Sequence, residues 1–174
     1  MKEVTPEFSY FVDVNRIPAG GLSVNLQATG EQCQALAHRF GLPAIHELAA
    51  QLNFKRINKK RVRVDATFDA KVEQICVVTL KPFVQQVNDG FSMVFSQEEE
   101  ASVRLNEIDL DMNEEDEVEF LQGDKIDAGE LVAESLSLAL DPFPHAPDAT
   151  FQAVIDDDDT DKNAFSVLEK LKFK

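Results

Sequence analysis

The chain has 174 residues, of which 44% are hydrophobic, and a formal net charge of −15 at pH 7. This length suits one hydrophobic core rather than two domains, and the negative charge excludes non-specific nucleic-acid binding over the whole surface, because phosphates are repelled. The sequence shows no signal-peptide pattern and no apolar run near the roughly 20 residues that cross a bilayer, so we expect a cytoplasmic protein.

Two strands and a helix are predicted near the start of the chain. Phe8–Val14 is rich in aromatic and branched residues, and Leu22–Ala28 alternates apolar and polar residues after a glycine turn. Thr29 and Gln32 then have the spacing of a capping box, and the apolar residues that follow recur at helical intervals. We therefore expect a helix from about Gly30 to Phe40.

The middle of the chain has the pattern of a long antiparallel meander. Apolar residues alternate over Leu48–Phe54 and again over Val62–Val72, which predicts a hairpin with one buried face. The start of the first arm is ambiguous, because Ala44–Leu52 also fits a short helix. A third long strand is expected around Val87–Phe95, with Pro82 at its start, where a strand tolerates proline.

An acidic stretch separates this meander from a second helix. Residues 98–161 carry a net charge of −20, and acids dominate Gln97–Phe120. Within it we expect Asn113–Glu117 to be a solvated loop or a mobile insertion. Asp127 and Glu130 then form a second capping-box-like pair before an apolar helix that should be central to the core. Asp141 and Pro142 end that helix.

The sequence therefore predicts an α+β fold in which residues 1–146 form a single domain, mainly an antiparallel meander sheet with two helices. Residues 147–174 are expected to add an acidic linker, which contains Asp156–Asp159, and a short C-terminal helix. Phe165, Leu168 and Leu171 share one face of that helix. Since so short a helix is unstable alone in water, we expect these three side chains to bind a partner surface.

Four motifs occur in the same order as in a known family. They are Cys76–Phe83 (Cys-Val-Val-Thr-Leu-Lys-Pro-Phe), Asp127–Glu134, Leu140–Pro144 and Asn163–Lys172. Together they resemble the YceD family, the large ribosomal RNA subunit accumulation proteins of bacteria and plastids. The resemblance implies a non-enzymatic factor that supports accumulation of large-subunit (23S) ribosomal RNA and ribosome assembly. Its partner would be ribosomal RNA or a large-subunit assembly intermediate.

Metal binding and catalysis are not expected from the residues present. A structural zinc site commonly uses cysteines in Cys-x-x-Cys pairs, whereas Cys76 is followed by Thr79 at the second position. Cys33 is the other cysteine, and we expect both thiols to be reduced. The three histidines have no acid, base and nucleophile set at motif spacing. We therefore predict no metal, cofactor, small-molecule substrate or catalytic residue.

The sharpest positive signal is a basic segment in the loop of the predicted hairpin, which we call the basic tip. It contains six cations and no acid: Lys55, Arg56, Lys59, Lys60, Arg61 and Arg63. A basic hairpin tip can bind RNA phosphates and release their counterions, so we predict these six residues to be RNA-binding. The alternative is a solvated turn whose lysines keep the hairpin soluble.

The acidic residues support a second hypothesis from another functional class. The segment 98–119 and the run 156–159 have the charge of a nucleic-acid mimic, and together with the C-terminal helix they would suit a protein-binding adaptor or chaperone. Its partner would be a basic ribosomal protein or an rRNA-processing factor. The alternative explanation for the same acids is solubility.

Overall fold

A computed structural model of the chain describes residues 6–97 and 118–150. The elements, numbered in chain order, are β1 (Phe11–Asp13), β2 (Leu22–Gln27), α1 (Gly30–Phe40), β3 (Ala44–Arg56), β4 (Arg61–Ile75), β5 (Pro82–Ser96), β6 (Val118–Phe120), β7 (Lys125–Asp127) and α2 (Ala128–Ala139). The described elements are thus two α-helices and mostly antiparallel strands, and the predicted α+β class is confirmed.

The main sheet has the strand order β2-β3-β4-β5-β6. Neighbours from β2 to β5 are antiparallel and follow one another in sequence, so the predicted meander is confirmed. β6 was not predicted, and it pairs parallel to β5. The first arm of the long hairpin is strand from Ala44 onward rather than helix, with a register shift between Ile45 and Glu47.

A second, two-stranded sheet holds the start of the described chain against its later part. β1 pairs antiparallel with β7, with Val12 opposite Ile126. The strand predicted over Phe8–Val14 is shorter than expected, because it begins only at Phe11 and a single 3₁₀ turn replaces it from Val14 onward. That turn starts where the Asp13 carboxylate accepts a hydrogen bond from the Asn15 N–H at 2.9 Å, which diverts the chain from the strand.

Helix α1 has the predicted bounds and the predicted cap. The Thr29 hydroxyl oxygen accepts from the Gln32 N–H at 3.3 Å, and the Gln32 side chain accepts from the Thr29 N–H at 2.9 Å. Both halves of the capping box are therefore present, satisfying two N–H groups that the helix itself cannot pair. Gly41 ends the helix with φ +67°, a backbone conformation that glycine adopts without steric cost.

The core lies on one face of the main sheet. Alternate residues of β3 and β4 are buried, and residues of α1 and α2 belong to the same hydrophobic cluster. Leu136 of α2 is fully buried, in agreement with the central role predicted for that helix, whereas Leu138 is 88% exposed. The opposite face of the sheet, which we call the open face, carries mostly polar residues. Among the described residues, no helix is long and apolar enough to cross a membrane.

Candidate nucleic-acid interface

The turn between β3 and β4 is shaped by an asparagine. The Asn58 side-chain oxygen accepts hydrogen bonds from the N–H groups of Lys60 and Arg61, at 2.8 and 2.9 Å. The Ile57 N–H donates to the Arg61 carbonyl at 3.0 Å, and the Gln97 N–H donates to the Lys60 carbonyl at 3.0 Å. Asparagine favours such turns because its side chain bonds the backbone a few residues ahead. The basic tip therefore lies on a turn with a defined backbone.

Strand register collects three of the six cations on the open face. Lys55 of β3 and Arg63 of β4 are direct cross-strand partners, and partners in a ladder share a face with their Cβ atoms roughly 5 Å apart. Arg61 precedes Arg63 by two residues along β4, so it projects from the same face. Lys59 and Lys60 are exposed in the turn itself. These five cations lie together at one end of the sheet.

Arg56 differs from the other five, because it sits on the face of the core. It is the partner of the buried Val62, and its Nη2 donates to the Val14 carbonyl at 2.6 Å. Its Nε is buried and has no hydrogen-bond partner among the described residues. Five of the six cations thus lie on the open face or in the turn, while Arg56 joins the tip to the 3₁₀ turn after β1.

A cavity of about 10 Å³ adjoins the Arg56 side chain, which is room for about one water-sized group. Its lining residues come from the 3₁₀ turn, the basic tip, β5 and the start of the loop before β7: Val14, Asn15, Arg56, Lys59, Lys60, Val62, Phe95, Gln97 and Leu121. The sequence gives no local signal for this site, because Val14 and Arg56 are 42 residues apart.

The character of the open face changes a short distance from the tip. Asp65 follows Arg63 by two residues and accepts a hydrogen bond from the Ser92 hydroxyl at 2.7 Å. Asp69 lies on the same face farther along β4.

In β3 and β4, which are fully described, the open-face positions hold no Phe, Tyr or Trp. Phe120 of β6, which is 40% exposed, is the partner of Ser96, and Ser96 is the partner of Arg61. The site is therefore a compact positive end of the sheet with one aromatic side chain beside it on the same face.

The turn that begins at Cys76 has the second distinctive chemistry of the described chain. Cys76 is fully buried, and N–H donors from Ala146, Thr79 and Val78, together with the Thr79 side chain, lower the pKa of its thiol to about 6. Burial alone raises the pKa of Cys33 in α1. Both thiols are unpaired. The described residues contain no group of three or more His, Cys, Asp or Glu placed to hold a metal ion.

The partner-binding residues predicted in the tail, Phe165, Leu168 and Leu171, lie outside the described residues. The same is true of residues 98–117 of the acidic segment and of the run 156–159. Their predicted roles remain predictions.

The described chain is thus a small α+β protein with a positive hairpin end, and comparison with known proteins gives its family. The family model described as "Large ribosomal RNA subunit accumulation protein YceD" matches residues 64–172, more than half of the chain. The chain belongs to this family, as its motifs suggested, and the family's description implies a role in the accumulation of large-subunit ribosomal RNA rather than a known enzymatic activity. Neither the curated proteins nor the solved structures gave a match.

The range matched by the family model contains the Cys76 turn but not the basic tip. It begins at residue 64, one residue after Arg63, so the basic tip lies outside it. It includes the whole Cys76 turn and helix α2. The basic tip must therefore be judged on its own geometry.

Proposed function

We propose that this protein supports accumulation of large-subunit ribosomal RNA by binding RNA phosphates through the basic tip. The observation that carries the proposal is the direct pairing of Lys55 with Arg63 across the β3–β4 ladder. The register places these two cations side by side, and residues 55–63 contain no acid although the chain has a net charge of −15. A concentration of cations at one end of a sheet suits a polyanionic ligand.

The chemistry of the surface supports contact with phosphates rather than with bases. Sequence-specific recognition of single-stranded RNA relies on aromatic side chains that stack on splayed bases, and beside the tip the described strands place one such side chain, Phe120, on the open face. Lysine and arginine bind phosphate irrespective of sequence. The proposed contact is therefore largely independent of base sequence, and specificity for the large-subunit RNA would come from its shape or from a further partner.

The other cations of the tip lie on long, flexible side chains, whereas the cavity beside Arg56 would hold one ligand atom at a defined position. Its volume of about 10 Å³ admits a single oxygen atom. A phosphate oxygen in it would accept from the Arg56 Nε, while the Lys59 side chain, which also lines the cavity, supplies charge. Hydrogen bonds from guanidinium to phosphate are among the stronger ones that proteins form.

The test is a triple substitution with a matched control. Lys59→Gln, Lys60→Gln and Arg61→Gln together remove three charges from the tip. In the control comparison, the double variant Lys59→Gln with Lys60→Gln at the tip is matched by Lys71→Gln with Lys81→Gln, at exposed positions toward the other end of the sheet. Affinity for a large-subunit rRNA fragment is measured against salt concentration. We expect the tip variant to bind more weakly, with the salt slope reduced by about 0.7 for each single-strand phosphate that the tip no longer neutralises. The control substitutions should change the RNA affinity and its salt slope much less, because they alter only the long-range electrostatic potential at the tip.

Cells that carry only the tip variant should accumulate less large-subunit rRNA than cells with the control variant. Equal RNA binding and equal rRNA levels for the two variants would contradict the proposal. The alternative is the acidic adaptor for a basic ribosomal protein or processing factor. It predicts instead that crosslinking from cells recovers such a protein with both variants and no RNA at the tip.

A further inference from the structure

Leu80 combines two unfavourable features in the turn between β4 and β5. It is the only described residue other than glycine with a positive φ, +56°, a conformation that is sterically unfavourable for an L-residue. Its apolar side chain is also 76% exposed. Strained backbone persists where the surrounding structure fixes it, and it concentrates at functional positions. This turn is fixed by hydrogen bonds from the Leu80 N–H to the Cys76 carbonyl, at 2.8 Å, and from the Cys76 N–H to the Lys81 carbonyl, at 2.9 Å.

Other exposed apolar side chains lie at the same end of the molecule. Ile75 is 44% exposed and Val77 is 43% exposed. The Val77 N–H donates to the Pro144 carbonyl at 2.9 Å, which brings Phe143, 70% exposed, to this turn. We call Ile75, Val77, Leu80 and Phe143 the turn patch. A grouping of exposed apolar residues is a common mark of a binding surface.

The described chain ends beside this patch. An N–H of Ala146 bonds the Cys76 sulfur, and the Ala149 N–H donates to the Ala146 carbonyl at 2.9 Å. The described part ends at Thr150, only a few residues farther on. The 15 residues from Thr150 to Phe165 can span up to roughly 50 Å when extended, so the apolar residues of the tail are within reach of the patch.

Electrostatic attraction also favours binding of the C-terminal tail near the turn patch. Residues 128–150 contain four carboxylates and no lysine or arginine, and of these Glu130 is paired with Arg39. The segment 162–174 contains four lysines and one glutamate. Attraction between the two segments acts over about a Debye length, roughly 8 to 10 Å at physiological salt.

We propose that the C-terminal segment 162–174 binds the turn patch of its own chain through Phe165, Leu168 and Leu171. A short amphipathic helix needs an apolar surface in order to be stable, and the patch supplies one. The segment in turn removes the exposed apolar side chains of the patch from water. The matched family range contains both the turn and these three residues. The proposal is independent of RNA binding at the basic tip, which lies at the other end of strands roughly 45 Å long.

The test uses the full chain with a nitroxide spin label on Lys172→Cys. Wild-type protein treated with the same reagent controls for labelling of Cys33 and Cys76, both of which are buried. We expect paramagnetic broadening of the amide signals of Val77 and Leu80, while that of Ile57 at the basic tip stays sharp. Leu168→Ser should abolish the broadening. Val167→Ser, which lies off the apolar stripe, should largely preserve it.

A second pair of variants tests the patch from its own side. Leu80→Ser should remove the broadening at Val77, and Ile57→Ser, a change of similar kind at an exposed apolar residue, should leave it. Sharp signals for Val77 and Leu80 in the labelled chain would overturn the proposal. Broadening that appears only when labelled chains are mixed with separate isotope-labelled chains would assign the patch to a second copy, and would overturn the intramolecular contact.

Discussion

The Asp127 carboxylate accepts a hydrogen bond from the backbone N–H of Tyr10 at 2.8 Å, across 117 residues of chain. The same oxygen accepts from the N–H groups of Gly129 and Glu130, at 3.1 and 3.3 Å, and so caps helix α2. The other carboxylate oxygen accepts from the Ser9 hydroxyl. The Asp127 side chain therefore caps the start of helix α2 and also binds residues 9 and 10, near the start of the described chain.

Replacing this carboxylate should destabilise the fold measurably. Loss of an N-cap costs about 1 kcal/mol, and donors left without an acceptor add to that cost. We expect Asp127→Ala to lower the free energy of unfolding by about 2 kcal/mol, measured by urea denaturation. Asp127→Asn keeps one acceptor oxygen and should be less destabilised. Equal midpoints for Asp127→Ala and wild type would show that the cap contributes little.

Two leucines of α2 allow a matched test of the core. Leu136 is fully buried and Leu138 is 88% exposed, although both belong to the same helix. Leu136→Asp places an unpaired charge in the core and should unfold the protein. The milder Leu136→Ala should cost about 2 to 5 kcal/mol, and Leu138→Ala should cost under about 0.5 kcal/mol. Circular-dichroism melts compare the three variants, and an unchanged melt for Leu136→Asp would refute the assignment.

Sequence patterns predicted those parts of the fold that depend on neighbouring residues. The capping box fixes the start of α1 through Thr29 and Gln32, and two-residue alternation marks the long strands β3 to β5. The strand register then follows from burying one hydrophobic face, so the pairing of Lys55 with Arg63 can be inferred from the sequence.

Long-range contacts were not predictable in this way. The parallel pairing of Val118 with Val94 joins residues on either side of the acidic segment, and neither strand's pattern specifies it. The turn of Arg56 toward Val14 likewise depends on where β1 packs. The positive φ of Leu80 could not be predicted from the sequence, because glycine or asparagine usually occupies such a position.

Cys76 should make the stability of the protein depend on pH. Its thiol has a pKa of about 6 in the folded state, because backbone N–H groups donate to the sulfur, against an ordinary value of 9.0. Between pH 6 and 9 the unfolded chain therefore binds a proton that the folded chain has released, and the free energy of unfolding rises with pH. The contribution is complete above about pH 9 and is lost as the pH falls through 6.

Urea midpoints of wild type and Cys76→Ser, measured from about pH 5.5 to 9, isolate this effect, because serine does not titrate in the range. We expect the difference between the two curves to grow in favour of wild type as the pH rises. Thiolate absorbance of the folded protein should titrate near pH 6 in wild type and in Cys33→Ser. Parallel stability curves, or a thiol that titrates near its ordinary pKa, would contradict the hydrogen-bonded thiolate.

The strain at Leu80 can be measured separately from any role of its side chain. Leu80→Ala and Leu80→Asn both remove the leucine contacts, but only asparagine adopts a positive φ at low cost. We therefore expect Leu80→Asn to be more stable than Leu80→Ala by about 0.5 to 1 kcal/mol, as measured by urea denaturation at one pH. The difference reports the backbone alone, because both variants lack the apolar side chain that leucine adds to the turn patch.

The same two variants, compared with wild type, bear on what the leucine contacts. An unbound side chain that is 76% exposed contributes little to stability, so Leu80→Ala should be neutral if nothing covers the patch. If segment 162–174 covers the patch, Leu80→Ala should cost about 1 kcal/mol of buried apolar surface, and that cost should disappear in a chain that also carries Leu168→Ser. Equal stability of Leu80→Asn and Leu80→Ala would show that the turn relaxes, and that the positive φ at this position stores no strain.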